Sequence, residues 1–410
     1  MKCGWKKCSL LLFSALLFGL LIAKGFAEAG GNAKRPLDFS SFVVVGDSLS
    51  AGSENFSLDE DFQPHGYAAL VARQAGAVFP LPLIARPGIP PALTLLRPGP
   101  LPVLGQEPGE SIGRIDPFLQ PFNVSVPNLK IDEVLESRPD CVIDPLAGGI
   151  RLTDVYTELV LGFPACLIGG LHLSEIETAE ALHPTFVILW VGNNDTLWAS
   201  VLGVMSEITP LETFSPAYEA IVKRMVATGA KLVIGNLPDP TAAPLLIPAG
   251  KVAALLDKDV AVLGPILGIQ AGDFVTPFAL EAIGKILTGV IPGPLPDNLV
   301  VTAAEIKIIK AANEQFNQVV FQVAARYNIP VADIRGLLNK IGKNGIVVGG
   351  QRLTTDYLGG IFSLDGFHPT NTGYAITANE FIKTINQFYG TMIPRVNLEE
   401  VMQTDPLIFP

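Results

Sequence analysis

Phe42-Val43-Val44-Val45-Gly46-Asp47-Ser48-Leu49 is the stretch on which the fold turns. Its apolar run, with three β-branched residues in a row, has the character of a strand buried on both faces of a parallel sheet. Gly46-Asp47-Ser48 then breaks the run, and a helical stretch follows around Tyr67 to Gln74. The same strand-then-polar-loop order returns twice. Phe186-Val187-Ile188-Leu189-Trp190-Val191 leads into Gly192-Asn193-Asn194-Asp195, and Lys231-Leu232-Val233-Ile234 leads into Gly235-Asn236-Leu237-Pro238-Asp239. Helical patterns separate these strands. One runs from Ser215, as N-cap, to Ala227, with Gly229 just past its end; others cover Thr302 to Tyr327 and Thr370 to Tyr389, with a short strand near Ile329-Pro330-Val331 between them. Strands alternating with helices imply a parallel sheet covered on both faces, and such sheets build their sites at the carboxyl ends of the strands.

Outward from this frame lie two long insertions. Residues 77–120 are rich in Pro, Leu and Gly, and residues 240–298 carry a second apolar stretch through Leu245, Leu246, Ile247, Leu263, Ile266 and Leu267. Loops of this length in a compact domain are usually functional or packed by themselves. No repeat and no interdomain linker interrupts the rest, so residues 39–410 read as one domain.

The amino end reads as an export signal over residues 1–27. Lys2, Lys6 and Lys7 precede an apolar run from Ser9 to Ala23, and small residues then offer cleavage after Ala27 or Ala29. The run is short for a spanning helix and Lys24 interrupts it, which argues against a retained membrane anchor. Residues 28–38 form a short leader, and the expected location is outside the cytoplasm. Cys141 and Cys166 are the cysteines left after cleavage. An oxidising compartment favours a disulfide between them, with two buried thiols as the alternative.

The 410 residues are 49% hydrophobic and 16% charged, with a net charge of −11. Mean hydropathy is +0.41, which is high for a soluble enzyme. The acidic balance, with no basic cluster beyond the amino end, excludes nucleic acid as a partner. His65, His172 and His183 have no Cys or Glu at metal-ligand spacing, and no phosphate-binding glycine loop occurs, so no metal and no cofactor is expected.

Acyl transfer by a hydroxyl needs a base to take its proton and donors aimed at the oxyanion. Ser48 stands directly after the first strand, although a capped strand-end turn would look the same. Asp365-Gly366-Phe367-His368 lets a carboxylate fold back onto Nδ1 of the imidazole and leaves Nε2 free as a base. Taken alone, that histidine would read as a loop residue capping the next helix. Asn194 ends the strongest strand of the chain. Its amide has two N–H donors, one to hold a loop and one to face a site.

Together these blocks resemble those of the GDSL/SGNH hydrolase family in type, order and topology. Gly46-Asp47-Ser48-Leu49 resembles the first block, Gly192-Asn193-Asn194-Asp195 the third and Asp365-Gly366-Phe367-His368 the fifth. The likeness runs over roughly residues 40–395. It implies a flavodoxin-like three-layer α/β/α sandwich with a parallel sheet of about five strands. It also implies Ser48 as nucleophile, His368 as base, Asp365 as orienting acid, and Ser48 and Asn194 as oxyanion donors. The second block departs from the family pattern: Val126-Pro127-Asn128 places Asn128 where members carry a glycine whose N–H meets the oxyanion. Asn tolerates positive φ best among non-glycine residues, so Asn128 remains the expected backbone donor, with Gly148, Gly149 and Gly88 as fallbacks.

The resemblance implies an esterase or lipase acting on small-molecule or lipid esters. The apolar insertions are expected to line an acyl groove or to form a lid, although packing over the sheet would explain them equally well. A carbohydrate deacetylase or thioesterase of the same family is the next reading, and an exported lipid-binding protein without turnover is the rival from another class.

Overall fold

The computed structural model describes residues 37–99, 101–141 and 151–408. The expected signal segment, most of the leader, and Gly148 and Gly149 lie outside the described residues. A parallel sheet forms the centre, with strands β1 (Phe42–Gly46), β2 (Phe186–Trp190), β3 (Lys231–Gly235) and β4 (Val331–Ala332) in that spatial order. Every residue of β1 and β2 is buried. Helices cover both faces, so these strands carry unbroken apolar runs rather than alternation.

A fifth, irregular member runs beside β1. Val44 N–H donates to Phe122 O at 3.1 Å, Val124 N–H to Val44 O at 3.1 Å, and Val126 N–H to Gly46 O at 3.2 Å. Pro121 and Pro127 bracket this segment and supply no donors, which confines it to an edge. The chain therefore leaves β1 toward one side and later resumes on the other with β2. That divergence is the switch point where open α/β sheets bind their ligands.

Tyr67–Ala75 and Asn371–Tyr389 pair in one helical layer, and Leu211–Ala227 pairs with Ala303–Arg326 in the other. In the first layer Tyr67 stacks on Phe381 at 4.7 Å, with Trp190 edge-on at 5.3 Å. In the second, Phe214 stacks on Phe316 at 4.0 Å. Burying each such side chain contributes roughly 1.5–3 kcal/mol. This packing also corrects one boundary. The helix expected from Ser215 starts at Leu211, four residues earlier, because burying Phe214 against Phe316 outweighs the N-cap signal of Ser215.

The second insertion builds a cluster of its own, against which Leu101 of the first insertion packs. Residues 240–298 contribute helices Ala249–Leu255, Val260–Leu267 and Ala279–Leu287, which bury Leu263, Leu267, Val275, Ile283 and Ile286 in a cluster of their own. Residues 77–120 contribute an antiparallel hairpin, Leu93–Arg97 with Val103–Gln106. Among the described residues no helix is long and apolar enough to cross a membrane.

Candidate active site

Ser48 opens a one-turn helix, Ser48–Ala51, at the end of β1, and it is 5% exposed. Asp47 caps that turn by accepting from Leu49 N–H at 3.1 Å, and its other oxygen accepts from Asn193 Nδ2 at 2.8 Å. Gly46 permits the tight fold-back, since a Cβ there would lie 2.1 Å from Ser50 Oγ and 2.9 Å from Trp190 O. Burial is the largest influence on the Asp47 carboxyl and pushes it up to about 6, against the pull of its Asn193 bond. The expected nucleophile is thus held by the residues on either side of it in the sequence.

Asp365 and His368 meet as their spacing implied. His368 Nδ1 lies 2.8 Å from Asp365 Oδ2, while Oδ1 accepts from the N–H groups of Phe367 and His368 at 2.9 Å each. Gly366, at φ 80°, makes this turn possible, and a Cβ there would meet Leu245 N at 2.8 Å. Complete burial acts to raise the Asp365 carboxyl, but the His368 charge and these bonds together hold it below the usual range. Nε2 of His368 is buried with no protein partner among the described residues. An imidazole so held can take a proton from a hydroxyl and keep its new charge beside a carboxylate.

Asn128 sits at φ 71°, the left-handed conformation expected of it. No protein acceptor takes its N–H among the described residues. Asn194 divides its amide as anticipated in one respect, since Nδ2 donates to Leu129 O at 2.9 Å. Asp195 grips the same loop by accepting from Ile131 N–H at 3.2 Å. These two side chains divert backbone groups from helical bonding. In consequence the helix expected over Leu129 to Leu135 is reduced to Glu133–Glu136. Gly88 does not serve as a fallback donor, because its N–H is spent on Ala85 O at 3.1 Å.

Sequence reasoning missed the turn that joins the two halves of the site. Glu54 and Ser57 exchange backbone bonds at 3.1 and 2.9 Å around Asn55 and Phe56, at φ 52° and 60°. Asn55 N–H donates to Ser363 Oγ at 3.1 Å, Leu364 N–H to Asn55 Oδ1 at 3.1 Å, and Phe56 N–H to Asp365 Oδ2 at 2.5 Å. Only Asn55, a residue that tolerates this conformation, hinted at the turn. Glu175 was missed as well: buried in the opposite helix layer, it accepts from Gly46 N–H at 2.7 Å and so steadies the end of β1.

The Glu54 carboxyl is fully buried, and neither oxygen has a protein partner among the described residues. Burial, reinforced by Asp405 and Asp365, pushes it well above 4.5. A raised acid binds more protons in the native than in the unfolded state, so native stability falls as pH climbs above the unfolded value. Glu54→Gln removes that loss. Its melting-temperature gain over wild type is expected to grow between about pH 5 and about pH 8. Thermal melts at both pH values check this, and an equal gain at both would mean that the carboxyl does not titrate in that window.

Ser48 borders two spaces. One is an apolar cleft of about 60 Å³ whose walls include Leu49, Leu197, Pro240, Ile334, Leu338 and Phe362. The other is a small cavity of about 10 Å³, room for no more than one water, that also meets Asn128 and His368. These linings correct the expectation for the insertions. Residues 77–120 contribute nothing to either space, and residues 240–298 contribute only Pro240, Ala242 and Ala243 at their base. Most of the second insertion buries its apolar surface in its own cluster, while Leu245 and Leu246 pack with Val301, Ile306 and Phe367.

Cys141 and Cys166 form a disulfide with Cα atoms 5.3 Å apart. His172, scattered in sequence, comes within 3.2 Å of the Cys141 sulfur, but both sulfurs are engaged in the disulfide and neither is a thiolate for a metal.

A family model described as GDSL-like Lipase/Acylhydrolase matches residues 42–381. Similar solved structures include an acetylxylan esterase from Geobacillus stearothermophilus, 13% identical, covering 88% of this chain and 99% of that one at a TM-score of 0.37. A lipase/acylhydrolase from Enterococcus faecalis is 14% identical, with coverage of 87% and 99% and a TM-score of 0.35. Phospholipase A1 from Streptomyces albidoflavus is 13% identical, with coverage of 86% and 100% and a TM-score of 0.33. No protein of curated function matches the sequence.

Proposed function

The chain belongs to the GDSL-like lipase/acylhydrolase family and is an ester-hydrolysing enzyme, and from that premise we propose that it is an exported serine esterase acting on carboxylic esters with apolar acyl groups. Ser48 attacks the ester carbonyl and His368 takes its proton, while Asp365 fixes the imidazole and balances its charge. The oxyanion is met by the N–H groups of Ser48 and Asn128 and by the amide of Asn194. His368 then returns the proton to the departing alcohol, and water hydrolyses the acyl-enzyme by the same route. Export is supported by the basic and apolar pattern of the first residues and by the Cys141–Cys166 disulfide, a bond that persists in oxidising compartments.

The observation that carries the substrate class is the apolar cleft reaching Ser48. A series of p-nitrophenyl esters of increasing chain length tests it. Medium-chain esters are expected to exceed acetate in kcat/KM, each methylene entering the cleft adding up to about 0.8 kcal/mol, or roughly fourfold. Leu338→Trp, which fills the cleft, is expected to move the optimum to shorter chains. A flat chain-length profile in wild type would remove the apolar acyl group from the proposal.

A further inference from the structure

The Asp365 carboxylate is held by more than its histidine. Oδ1 accepts from the N–H groups of Phe367 and His368, and Oδ2 accepts from His368 Nδ1 at 2.8 Å and from Phe56 N–H at 2.5 Å. An ionised carboxylate offers about four acceptor positions, and these donors fill them. Three of the donors belong to residues 367 and 368 and would move with the loop that carries Asp365. Phe56 N–H comes from a distant part of the chain, so among these bonds it alone fixes the carboxylate relative to the rest of the site. Asn55 grips the approach to Asp365 at two more points. Its N–H donates to Ser363 Oγ and its Oδ1 accepts from Leu364 N–H, at 3.1 Å each.

The turn that offers these groups is itself anchored. Glu54 and Ser57 close it by exchanging backbone bonds, and Asn55 O accepts from Leu93 N–H at 2.9 Å. Ser53 N–H donates to Ser48 O at 3.0 Å, which ties the turn to the expected nucleophile. Phe56 holds φ 60°, where glycine would be unstrained, and its ring lies edge-on to Phe367 at 6.1 Å. A bulky residue kept in the left-handed region signals a constraint imposed by its surroundings. We infer that Asn55 and Phe56 are positioning residues for the Asp365–His368 pair. Phe56 orients the carboxylate through its N–H, and Asn55 holds Ser363 and Leu364 so that the N–H can reach it. Their effect on the reaction passes through Asp365. A carboxylate free to rotate leaves Nδ1, and the imidazole then takes up the tautomer with its proton on Nε2, which cannot accept from Ser48.

This inference rests on the reading of Asp365 and His368 as the orienting acid and base, and a double-mutant cycle separates the two. kcat and KM are measured on p-nitrophenyl butyrate for wild type, Asn55→Gly, Asp365→Ala and the double variant. Glycine takes φ 52° without strain, so Asn55→Gly preserves the turn and removes the side-chain bond to Leu364. Alone it is expected to lower kcat by about 10–100-fold, with KM within about twofold of wild type. In Asp365→Ala it should change kcat by less than about twofold, because no carboxylate is left to orient. Phe56→phenyllactate replaces one amide by an ester and deletes only the N–H that meets Asp365. It should repeat both results, and it carries the test should Asn55→Gly fail to fold. An equal loss of kcat in both backgrounds would overturn the inference, since the turn would then support the fold and not the acid. Wild-type kcat in both single variants of the turn would overturn it as well. Wild-type kcat in Asp365→Ala would bring down the acid–base reading beneath it, which the other outcomes leave standing.

Discussion

Ser48→Ala is expected to lower ester hydrolysis by at least about 10³-fold with the fold unchanged, because Ser48 opens the turn at the end of β1 and borders the same cavity as His368. His368→Ala should lose a similar amount. The double variant should lose little more, since nucleophile and base act as one unit and removing either disables both. Circular dichroism and thermal melts on each variant separate chemistry from folding. Additive losses in the double variant, or residual turnover above a few per cent in Ser48→Ala, would show that another residue carries the attack.

The second large effect is expected at Asn128, where the chain departs from its family's pattern. At φ 71° the backbone pays the cost of the left-handed region, and Asn128 borders the cavity beside Ser48 with no protein acceptor taking its N–H among the described residues. Asn128→Gly removes that cost and should keep kcat within a few-fold. Asn128→Val resists positive φ and turns the N–H away, and losing one oxyanion donor costs about 10²–10³ in kcat. Asn194→Ala supplies the comparison, since it deletes a side-chain amide that also holds Leu129 O. The measurement is kcat against KM on a p-nitrophenyl ester, with the loss expected in kcat. A wild-type-like Asn128→Val would move the donor to another backbone group.

The parts of the site legible in the sequence are those whose geometry is local. Asp365 and His368 lie three residues apart, and one turn closed by Gly366 brings carboxylate and imidazole to 2.8 Å. Asp47 caps the helix of its own neighbour, Ser48. The turn at Asn55 and Phe56 was not legible, because its purpose lies some 300 residues away. Phe56 reaches Asp365 with a backbone N–H, a group common to every residue type except proline. Glu54 and Glu175 were opaque for a related reason, since a surface glutamate and a fully buried one look identical until the burial is known.

By itself the sequence determined the order of strands and helices, and with it the parallel sheet. An apolar β-branched run followed by a polar loop has few other solutions, and right-handed crossovers leave few ways to arrange several of them. It also determined which residues stand at the strand ends, and so the candidates for the reacting groups. Tertiary structure decided the walls of the site. The long insertions are apolar enough to line a cleft, yet residues 240–298 bury most of that surface in a cluster of their own and more of it, at Leu245 and Leu246, against Val301, Ile306 and Phe367. The cleft is instead built from Ile334 and Leu338, one turn apart on the helix Ile334–Asn344, and from Phe362. Composition records how much apolar surface a segment must hide. Which partner hides it is settled only when all segments compete for the same interior.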